Sequence, residues 1–591
     1  MGLLQKACET YDAHRALAGV AREGHQILVP VSHILTNADL EITLDQDGNF
    51  VTARAAEKSE PKIIIPVTED SGGRTAAPCA HPLCDQLGYV APYNEKKYAL
   101  YLAQLTAWAE SDDSHPMLKP ILTYVKRGTI LRDLAGAGLI RLTEEGIPEK
   151  EKRMVCWRVV GLGLPQEACW LNRELFRAFI NWCGTQQENR KPALCLISGE
   201  LTTPARQHPK GIIPINGNAK LISANDGTGY TYRGRFTDEE QAATIGYTAS
   251  QKAHNALRWL AAEQGVNYGG RTFLCWNPQG KPVPPVTSPI FGRDAPKSFR
   301  PSDYRKRLRQ TLAGFQSELP EKKDGVVVAA FDAATTGRLS LTYYNELAGS
   351  DFLQRLHDWD ETCCWWNGPY GIQSPGLYQI IAGAFGTQRE EKLAMDDRVL
   401  RQQMQRLVAC RVDRALFPQD MEQALVHRAS NLQIYESGTR AQLLFVVCAV
   451  VRKYRYDRFK EDWSMALEPE KQDRSYQYGR LLAVLEKAER DTYSSDETRE
   501  PNAIRMQPVF SQRPQYASRI LWEQIKKAYF PRLSPAGRAF YDRLIGEIMQ
   551  QLSHFPEPEQ NRPLGDTYLL GYYLQRNELY RKKERETEEL S

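Results

Sequence analysis

The chain has 591 residues, of which 42% are hydrophobic and 25% charged, so it is long enough to bury two or three separate cores. No apolar run approaches the roughly 18 uncharged residues that span a bilayer, and no secretion signal opens the sequence, so a cytoplasmic protein is expected. The net charge of +4 does not by itself indicate a nucleic-acid partner. The twelve cysteines lack the regular spacing of a disulfide framework and are predicted to be mostly buried thiols.

The first part of the chain alternates short β-rich runs with helical segments. Strands are predicted at 26–35, 62–67, 155–162, 271–276 and 326–331. Helices are predicted at 95–109, 171–183 and 239–264, with Pro/Gly-rich loops at 204–218 and 277–301. This alternation predicts a mixed α+β domain over residues 1–377.

The pattern changes beyond residue 378, where apolar residues recur three and four positions apart. Helices are predicted at 397–415, 419–429, 440–460, 476–492, 516–529, 535–551 and 566–583. The breaks between them are short enough for antiparallel neighbours. The predicted fold class is therefore an α+β N-terminal region followed by an all-α helical bundle over 378–591.

No catalytic motif stands out in the sequence. A Walker A motif and a GxSxG nucleophile motif are both missing, and the GxG pairs have no third glycine at dinucleotide-binding spacing. His357-Asp358 resembles the dipeptide of metal-dependent phosphohydrolases, but a helix surface explains it as well. Cys79, His81 and Cys84 lack a matching fourth zinc ligand. We expect a protein that is not an enzyme, with no catalytic residues, metal site or cofactor.

One basic stretch, residues 202–236, carries a local excess of positive charge. Its five cations face a single acid, Asp226, and are Arg206, Lys210, Lys220, Arg233 and Arg235. The amide side chains interspersed with glycines are Asn216, Asn218 and Asn225. Cations meet phosphates and asparagine reads base edges, so the stretch favours duplex DNA, although a solvated loop would have the same composition.

A second basic cluster lies between residues 293 and 309. The cations singled out as phosphate contacts are Arg300, Arg305, Lys306 and Arg307. Phe299 and Tyr304 lie among them and are predicted to offer stacking surfaces. Interleaved cations and aromatics suit single strands or backbone binding, although a helix with one charged solvent face is an equal alternative.

A glycine turn near the N-terminus forms a third candidate, composed of Gly72, Gly73, Arg74 and Thr75. It follows the predicted strand 62–67. Backbone amides in such a turn, together with one arginine, can probe a DNA groove. An ordinary turn is the competing interpretation.

Three segments in the last third of the chain carry a family resemblance. They are Tyr-Gln-Tyr-Gly-Arg-Leu-Leu-Ala-Val-Leu-Glu at 476–486, Phe-Tyr-Asp-Arg-Leu-Ile-Gly-Glu-Ile at 540–548 and Leu-Gly-Tyr-Tyr-Leu-Gln-Arg at 570–576. In this order they resemble the large subunit of the type I-C CRISPR-associated Cascade complex, of the Csd family and Cas-eight-c type. Segments 208–211, 221–225 and 326–331 extend the resemblance over nearly the whole chain. Leu83-Cys84-Asp85 and Tyr89 match the family, whereas Ala76-Ala77 stand where the family has Ser-Gly.

The resemblance implies a large subunit that recognises the PAM in target duplex DNA, helps to separate the strands, stabilises the R-loop and supports helicase-nuclease recruitment. It implies crRNA-bearing backbone subunits, a 5′-handle-binding subunit and a separate small subunit from an internal start. Residues 465–591 resemble that small subunit, and Met465 is the candidate start, although it also suits a loop position. The expected DNA contacts are Gly72, Gly73, Arg74, Thr75, Lys210, Asn216, Asn218, Lys220, Asn225, Arg233, Arg235, Arg300, Arg305, Lys306 and Arg307. The alternatives are a divergent metal-dependent nuclease of a defence system and a generic scaffold.

Overall fold

The computed structural model describes residues 2–74, 77–187, 190–215, 217–223, 244–291, 297–319, 325–333, 335 and 337–588, with side chains up to residue 580. The chain forms two compact units, one built from 1–281 and 325–346 and the other from 282–324 and 347–591. The boundary expected at residue 377 lies inside the second unit and stays a prediction. Both helices and small sheets are present, so the fold is of the mixed type.

The described part of the first unit contains eight α-helices and eleven strands. Its helices are α1 (Leu3–Ala13), α2 (Glu69–Gly72), α3 (Leu87–Val90), α4 (Glu95–Ala109), α5 (Leu118–Arg127), α6 (Ile130–Gly136), α7 (Arg173–Gln187) and α8 (Tyr247–Gln264). Its strands are β1 (His33–Thr36), β2 (Leu40–Leu44), β3 (Phe50–Ala55), β4 (Ile63–Pro66), β5 (Val155–Val159), β6 (Ala193–Leu194), β7 (Leu201–Thr202), β8 (Val266–Tyr268), β9 (Arg271–Trp276), β10 (Gly325–Asp332) and β11 (Ser340–Ala348).

A three-stranded sheet of order β3-β2-β5 organises the first core of this unit. β2 pairs antiparallel with β3 and parallel with β5. Leu40, Ile42 and Leu44 alternate along β2 and are fully buried, because alternate strand residues point to the same face. Their cluster includes Trp108 of α4 and Trp157 of β5, so helices cover this sheet.

A second sheet, of order β11-β10-β9-β8, forms a separate core with α1 and α8. β9 pairs antiparallel with both β8 and β10. Trp276 at the end of β9 is buried, and its indole Nε1 donates a hydrogen bond of 3.0 Å to Thr10 Oγ1 on α1. The first and last segments of the unit therefore share one core.

The strand predicted at 26–35 is wrong over most of its length. Only its end, within β1, pairs as a strand, and its partner is β4. Pro30 has no amide hydrogen to donate, and Ser32 has a φ of 60°, which lies outside the extended region. These two residues interrupt the run that hydrophobicity alone suggested.

The second unit consists mainly of helices. They are α9 (Pro301–Glu318), α10 (Gly349–Thr362), α11 (Leu377–Phe385), α12 (Asp397–Asp413), α13 (Gln419–Ala429), α14 (Ser437–Phe459), α15 (Arg474–Arg490), α16 (Asn502–Arg505), α17 (Gln507–Gln512), α18 (Pro514–Gln524), α19 (Pro535–Ser553), α20 (Glu557–Gln560) and α21 (Thr567–Glu588). Two short antiparallel pairs accompany them: β12 (Trp365–Trp366) with β13 (Ile372–Gln373), and β14 (Thr387–Arg389) with β15 (Lys392–Ala394). The helices predicted after residue 378 are confirmed, with ends that differ by a few residues.

Helices α15 and α21 cross at two glycines. A Cβ on Gly479 would lie 1.9 Å from the carbonyl oxygen of Tyr568, and a Cβ on Gly571 would lie 2.1 Å from that of Tyr476. Each glycine therefore faces backbone of the opposite helix, and no larger residue fits without moving it.

A buried ion pair connects helices of the second unit to the loop before α9. Arg411 of α12 and Asp360 of α10 are both 1% exposed, and their charged atoms are 3.1 Å apart. Arg411 also donates to the carbonyl oxygen of Val286, and Asp360 accepts from the backbone amide of Ile290. These extra hydrogen bonds replace part of the water that burial removes, although Arg411 Nε has no acceptor among the described residues.

The cysteines follow the prediction made from their spacing. All twelve belong to the described part of the chain and are free thiols, and nine of them are buried. Burial raises the pKa of Cys410 to about 12, so this thiol stays protonated at neutral pH.

Candidate nucleic-acid interface

The glycine turn and the first basic stretch, more than 130 residues apart in sequence, meet in the first unit. Thr68 caps α2, since its hydroxyl accepts from the backbone amide of Ser71. The buried carboxylate of Glu69 accepts from the backbone amides of Arg206 and Gln207. The turn following α2 therefore lies directly against the loop that leads to Lys210.

Gly73 is a close-packing position in this junction. A Cβ there would lie 2.2 Å from Gln207 Oε1, and the glycine has a φ of −100°, which any residue can adopt. The contacting atom is the end of a flexible side chain, so the contact shows how near the turn lies to Gln207 and does not make glycine necessary. Gly72 also faces a neighbour, because its Cβ would meet Val67 Cγ2 at 3.2 Å.

Arg74 is held inside its own loop. Its two terminal nitrogens donate to the two carboxylate oxygens of Asp85, at 2.8 and 2.6 Å, and Nη1 also donates to the carbonyl of Cys79. The guanidinium lies 4.6 Å from the ring centre of Tyr89. The side chain is 15% exposed and Asp85 is fully buried. Arg74 thus orders the turn through a bidentate ion pair.

Three cations form a row across short β-bridges. Lys210 pairs antiparallel with Lys220, and Lys220 pairs in parallel with Arg338. Bridge partners project from the same face, with Cβ atoms about 5 Å apart. Arg258 fixes this geometry, because its Nε and Nη2 donate to the carbonyl oxygens of Gly211 (3.0 Å) and Lys210 (2.6 Å). Within the described residues, none of the three cations of the row has a carboxylate partner.

A tight turn brings Lys210 and Lys220 together. Gly211 has a φ of +73°, and a Cβ there would lie 2.8 Å from the carbonyl oxygen of Gly217. The backbone amide of Gly211 donates to Ala219, which closes the turn. Glycine is required here by both conformation and space.

The surroundings of the row disfavour the protonated form of the groups buried beside it. Burial lowers the pKa of Lys220, and the charge of Lys210 lowers it further. Burial also lowers the pKa of His208 to about 4 and that of His254 to about 3, with a smaller contribution from Lys220. Both imidazoles are therefore neutral at pH 7. An anion beside the row would relieve the repulsion between its two lysines.

The second basic cluster lies in the second unit, at the start of α9. Arg300 and Lys306 are exposed, whereas Arg305 is paired with Glu361 at 3.2 Å. Arg307 points back to the chain, where its Nη1 donates to Ser298 Oγ at 2.8 Å. The predicted stacking role of Tyr304 is wrong, because this residue is fully buried and donates to the carbonyl oxygen of Asp360.

The predicted contacts therefore differ in how accessible they are. Lys210, Lys220 and the exposed Asn218 lie together in the first unit, and Gly72, Gly73 and Arg74 pack beside the same loop. Five predicted contacts lie outside the described residues: Thr75, Asn216, Asn225, Arg233 and Arg235. The role of the whole set in DNA binding stays a prediction.

A comparison with protein-family models identifies the chain. The family described as CRISPR-associated protein (Cas_Csd1) matches residues 9–580. The chain belongs to the Csd1 family. The resemblance stated from its helical segments is thereby confirmed. A search of curated proteins found no match.

Two of the three segments that carried the Csd1 resemblance lie on the glycine crossing of the second unit. Residues 476–486 belong to α15 and residues 570–576 to α21. Leu83-Cys84-Asp85 and Tyr89, the family residues near the N-terminus, surround Arg74, since Asp85 and Tyr89 bind its guanidinium. The recognisable Csd1 segments are thus largely packing and positioning elements.

Sequence reasoning missed Arg338 as a member of the cationic row. It lies more than 110 residues beyond Lys220, and a β-bridge joins the two. No local motif marks this position, because the charge cluster exists only after the chain has folded. A weak signal was available for Arg74. Asp85 follows it in the same loop region and is an acidic residue that could pair with it.

The described residues of this Csd1-family chain contain neither a cluster of metal ligands nor a membrane-spanning helix. Among the described residues, no group of three or more His, Cys, Asp or Glu side chains is arranged to hold a metal ion. His357 Nδ1 lies 3.5 Å from Glu361 and 3.7 Å from Asp358 on the same helix. No described helix combines the length and apolar character needed to cross a membrane.

Proposed function

We propose that this chain is the large subunit of a type I-C CRISPR surveillance complex and recognises the PAM in target duplex DNA. The observation that carries the proposal is the row of Lys210, Lys220 and Arg338 in a member of the Csd1 family. Its cations have no carboxylate partner among the described residues and so keep their charge for phosphates. Helping strand separation and stabilising the R-loop are parts of the same role.

A small basic surface is sufficient for this task. In an RNA-guided complex, pairing between guide and target supplies most of the sequence specificity, so the protein needs to read only a few base pairs and hold the backbone. Phosphate contacts set the position of the protein on the duplex, and base contacts add specificity. We assign the phosphate contacts to the row and a base-edge contact to the exposed Asn218 beside it.

The glycine turn supports the row in this proposal. Arg74 binds Asp85, while Glu69 holds the backbone at Arg206 and Gln207. We therefore give Arg74 a positioning role and keep Gly72 and Gly73 as members of the wider proposed surface. The remaining predicted contacts, Thr75, Asn216, Asn225, Arg233, Arg235, Arg300, Arg305, Lys306 and Arg307, stay members of the wider proposed surface.

The proposed partners are those of a surveillance complex in the cytoplasm. They are crRNA-bearing backbone subunits, the subunit that binds the 5′ handle, a small subunit and a helicase-nuclease that cuts the DNA. The chain itself is proposed to bind DNA without cutting it.

The test measures PAM-duplex binding by the assembled complex at several salt concentrations. Lys220→Ala and Arg338→Ala should each weaken binding to every PAM sequence alike. Each should also reduce the slope of log affinity against log salt by about 1, because one phosphate contact is lost. Asn218→Ala should instead relax the preference at one PAM position and leave the salt slope unchanged.

Arg132→Ala is the matched control, because it removes an exposed arginine of the same unit away from the row. It should leave both affinity and salt slope at the wild-type level. The thermal unfolding of each variant alone checks that the first unit is intact. Wild-type salt slopes for Lys220→Ala and Arg338→Ala would refute the assignment of the row.

The helical segment after Met465 is proposed to be made also as a separate small subunit. Met465 is buried, and its carbonyl oxygen accepts a 2.8 Å hydrogen bond from Trp366 Nε1. Met465→Leu keeps a side chain of similar size while removing an internal start codon. With a C-terminal tag, immunoblotting should show the full chain and a shorter product for wild type, and the full chain alone for Met465→Leu. A shorter product that persists in this variant would contradict the proposed start.

A further inference from the structure

Two aromatic side chains are exposed on the segment that precedes α9 and on its neighbour. Phe299 is 49% exposed and Tyr370 is 56% exposed. Aromatic rings of this size usually contribute to a core, and Tyr304 in the same cluster does so. Exposed rings such as Tyr378 occur elsewhere in the same unit, so Phe299 and Tyr370 are distinguished by the basic residues around them and not by exposure alone.

The backbone beneath these rings is firmly built. Ser298 and Gly371 form a parallel bridge, and the backbone amide of Ile372 donates to the carbonyl oxygen of Ser298 at 2.8 Å. Gly371 has a φ of +74°, and a Cβ there would lie 2.5 Å from that oxygen. Arg307 adds its hydrogen bond to Ser298 Oγ. The rings therefore project from an ordered base.

The register places the two rings and a cation on one face. Residues 297 and 299 alternate with the buried Ser298, so Lys297 and Phe299 share a face and lie about 7 Å apart along the segment. The ammonium of Lys297 lies 5.8 Å from the ring centre of Tyr370. The sequence of groups across this face is therefore ring, cation, ring.

Further cations continue from this face along α9. Arg305, Lys306 and Arg309 line a groove of 470 Å³ together with Ser302 and Gln310, at spacings of three and four residues that define one helix face. Arg305 has Glu361 as a partner. Within the part of the chain that the structure describes, Lys306 and Arg309 have no carboxylate partner.

We propose that Phe299, Lys297 and Tyr370 form a stacking platform for single-stranded nucleic acid, whose backbone continues along the cationic face of α9. Unpaired bases offer flat faces to both rings, and Lys297 lies between them to neutralise a phosphate. A duplex keeps its bases stacked on one another and offers no free face to these rings. The platform depends on the proposed function only in that its ligand is a nucleic acid. Its residues are different from those of the row at Lys220.

The test compares two oligonucleotides that differ only in their bases. The purified full chain is titrated, by fluorescence anisotropy, with labelled oligothymidine of about 15 nucleotides and with an abasic deoxyribose-phosphate strand of equal length. Wild type should bind oligothymidine roughly 10-fold or more tightly than the abasic strand, because stacking adds to the phosphate contacts. Phe299→Ala and Tyr370→Ala should each reduce this ratio several-fold, and the double variant should bring it close to 1.

The controls separate stacking from charge and from damage to the fold. Tyr378→Ala removes another exposed tyrosine of the same unit and should leave the ratio unchanged, as should Tyr370→Phe, which keeps the ring. Lys297→Ala should weaken both strands equally. Thermal unfolding checks each variant.

Several results would overturn the platform. They are an undetectable affinity of wild type for oligothymidine, equal wild-type affinities for the two strands, or a ratio that the ring variants leave intact. A loss of complex assembly in the ring variants with the oligonucleotide ratio preserved would mark the rings as a protein contact instead. PAM-duplex binding is measured in parallel. The platform variants should leave the salt slope of PAM-duplex binding unchanged. Failure of the platform is therefore seen in the oligonucleotide ratio, and failure of the proposed PAM role is seen in PAM-duplex binding.

Discussion

Two regions of the molecule differ in whether their charged side chains have partners of opposite charge. They are the helix pair α15/α21 and the row of Lys210, Lys220 and Arg338. In the helix pair, the buried carboxylate of Glu486 lies within 3.6 Å of Arg576 and receives a 2.8 Å hydrogen bond from Arg490. In the row, the described residues provide no carboxylate. The first arrangement neutralises its charges internally, and the second leaves them for a ligand.

This contrast explains why basic residues alone are a weak guide to function. Arg480 of α15 is 2% exposed. Its guanidinium donates hydrogen bonds to the carbonyl oxygen of Pro469 and to the side-chain oxygens of Gln477 and Gln575. Arg74 looks like a DNA contact in the sequence but is bound by Asp85. A cation is available for phosphate only if the fold gives it no other acceptor.

The largest expected effect concerns the glycine crossing. Gly571→Ala places a methyl group against the backbone of Tyr476, so α15 and α21 must separate or shift. We expect a loss of more than about 3 kcal/mol in the free energy of unfolding, because alanine's better helix propensity recovers only about 1 kcal/mol. Thermal and urea unfolding of the full chain measure this loss.

Gly546→Ala is the matched control, since it lies on α19 and its Cβ would have no atom within 4 Å. It should leave stability unchanged or raise it by up to about 1 kcal/mol. Equal stabilities for the two alanine variants would contradict the close crossing. Such a result would also remove the packing explanation for the family segments at 476–486 and 570–576.

Local patterns predicted the helices after residue 378 well because these helices carry their own signal. The helices expected at 419–429 and 535–551 are found at Gln419–Ala429 and Pro535–Ser553. Apolar residues at helical spacing face a core in any such bundle, so periodicity is sufficient. The glycine crossing between α15 and α21 could not be read from spacing, since it depends on which helices meet.

The first unit shows where sequence reasoning stopped. The β2–β3 hairpin was missed, although Leu40, Ile42 and Leu44 alternate before the Asp47-Gly48 turn signal. The parallel pairing of β2 with β5 joins residues more than 110 positions apart and leaves no local signal. The same distance separates Lys220 from Arg338, so the row was predicted only in its local half.

A smaller effect is expected at Glu422 on α13, a buried charge without a salt bridge among the described residues. Burial, and then the negative charge of Asp566, raise the pKa of Glu422 from 4.5 to about 7, while Arg455 opposes this rise. Arg455 is itself bound to Asp566 through Nε. The helix pair neutralises its buried charge with arginine, whereas Glu422 is neutralised by a proton.

The sign of the pH dependence follows from this raised pKa. The folded chain holds a proton on Glu422 that the unfolded chain releases above pH 4.5, so stability falls as the pH rises from 4.5 to about 7 and then stays at the lower level. Glu422→Gln should therefore stabilise the chain at pH 8, by at most about 3 kcal/mol, and have little effect near pH 4. Unfolding measured at pH 4, 6 and 8 tests this.

Asp420→Asn on the same helix should show the opposite trend. A hydrogen bond from Arg406 lowers the pKa of the exposed Asp420, so its carboxylate stabilises the fold above its unfolded pKa, and this contribution is lost on acidification. The variant should therefore be slightly less stable than wild type at pH 8 and equal to it in acid. If Glu422→Gln followed the same trend as Asp420→Asn, Glu422 would be an ionised, paired carboxylate, and the contrast between neutralised and available charge would not extend to this helix.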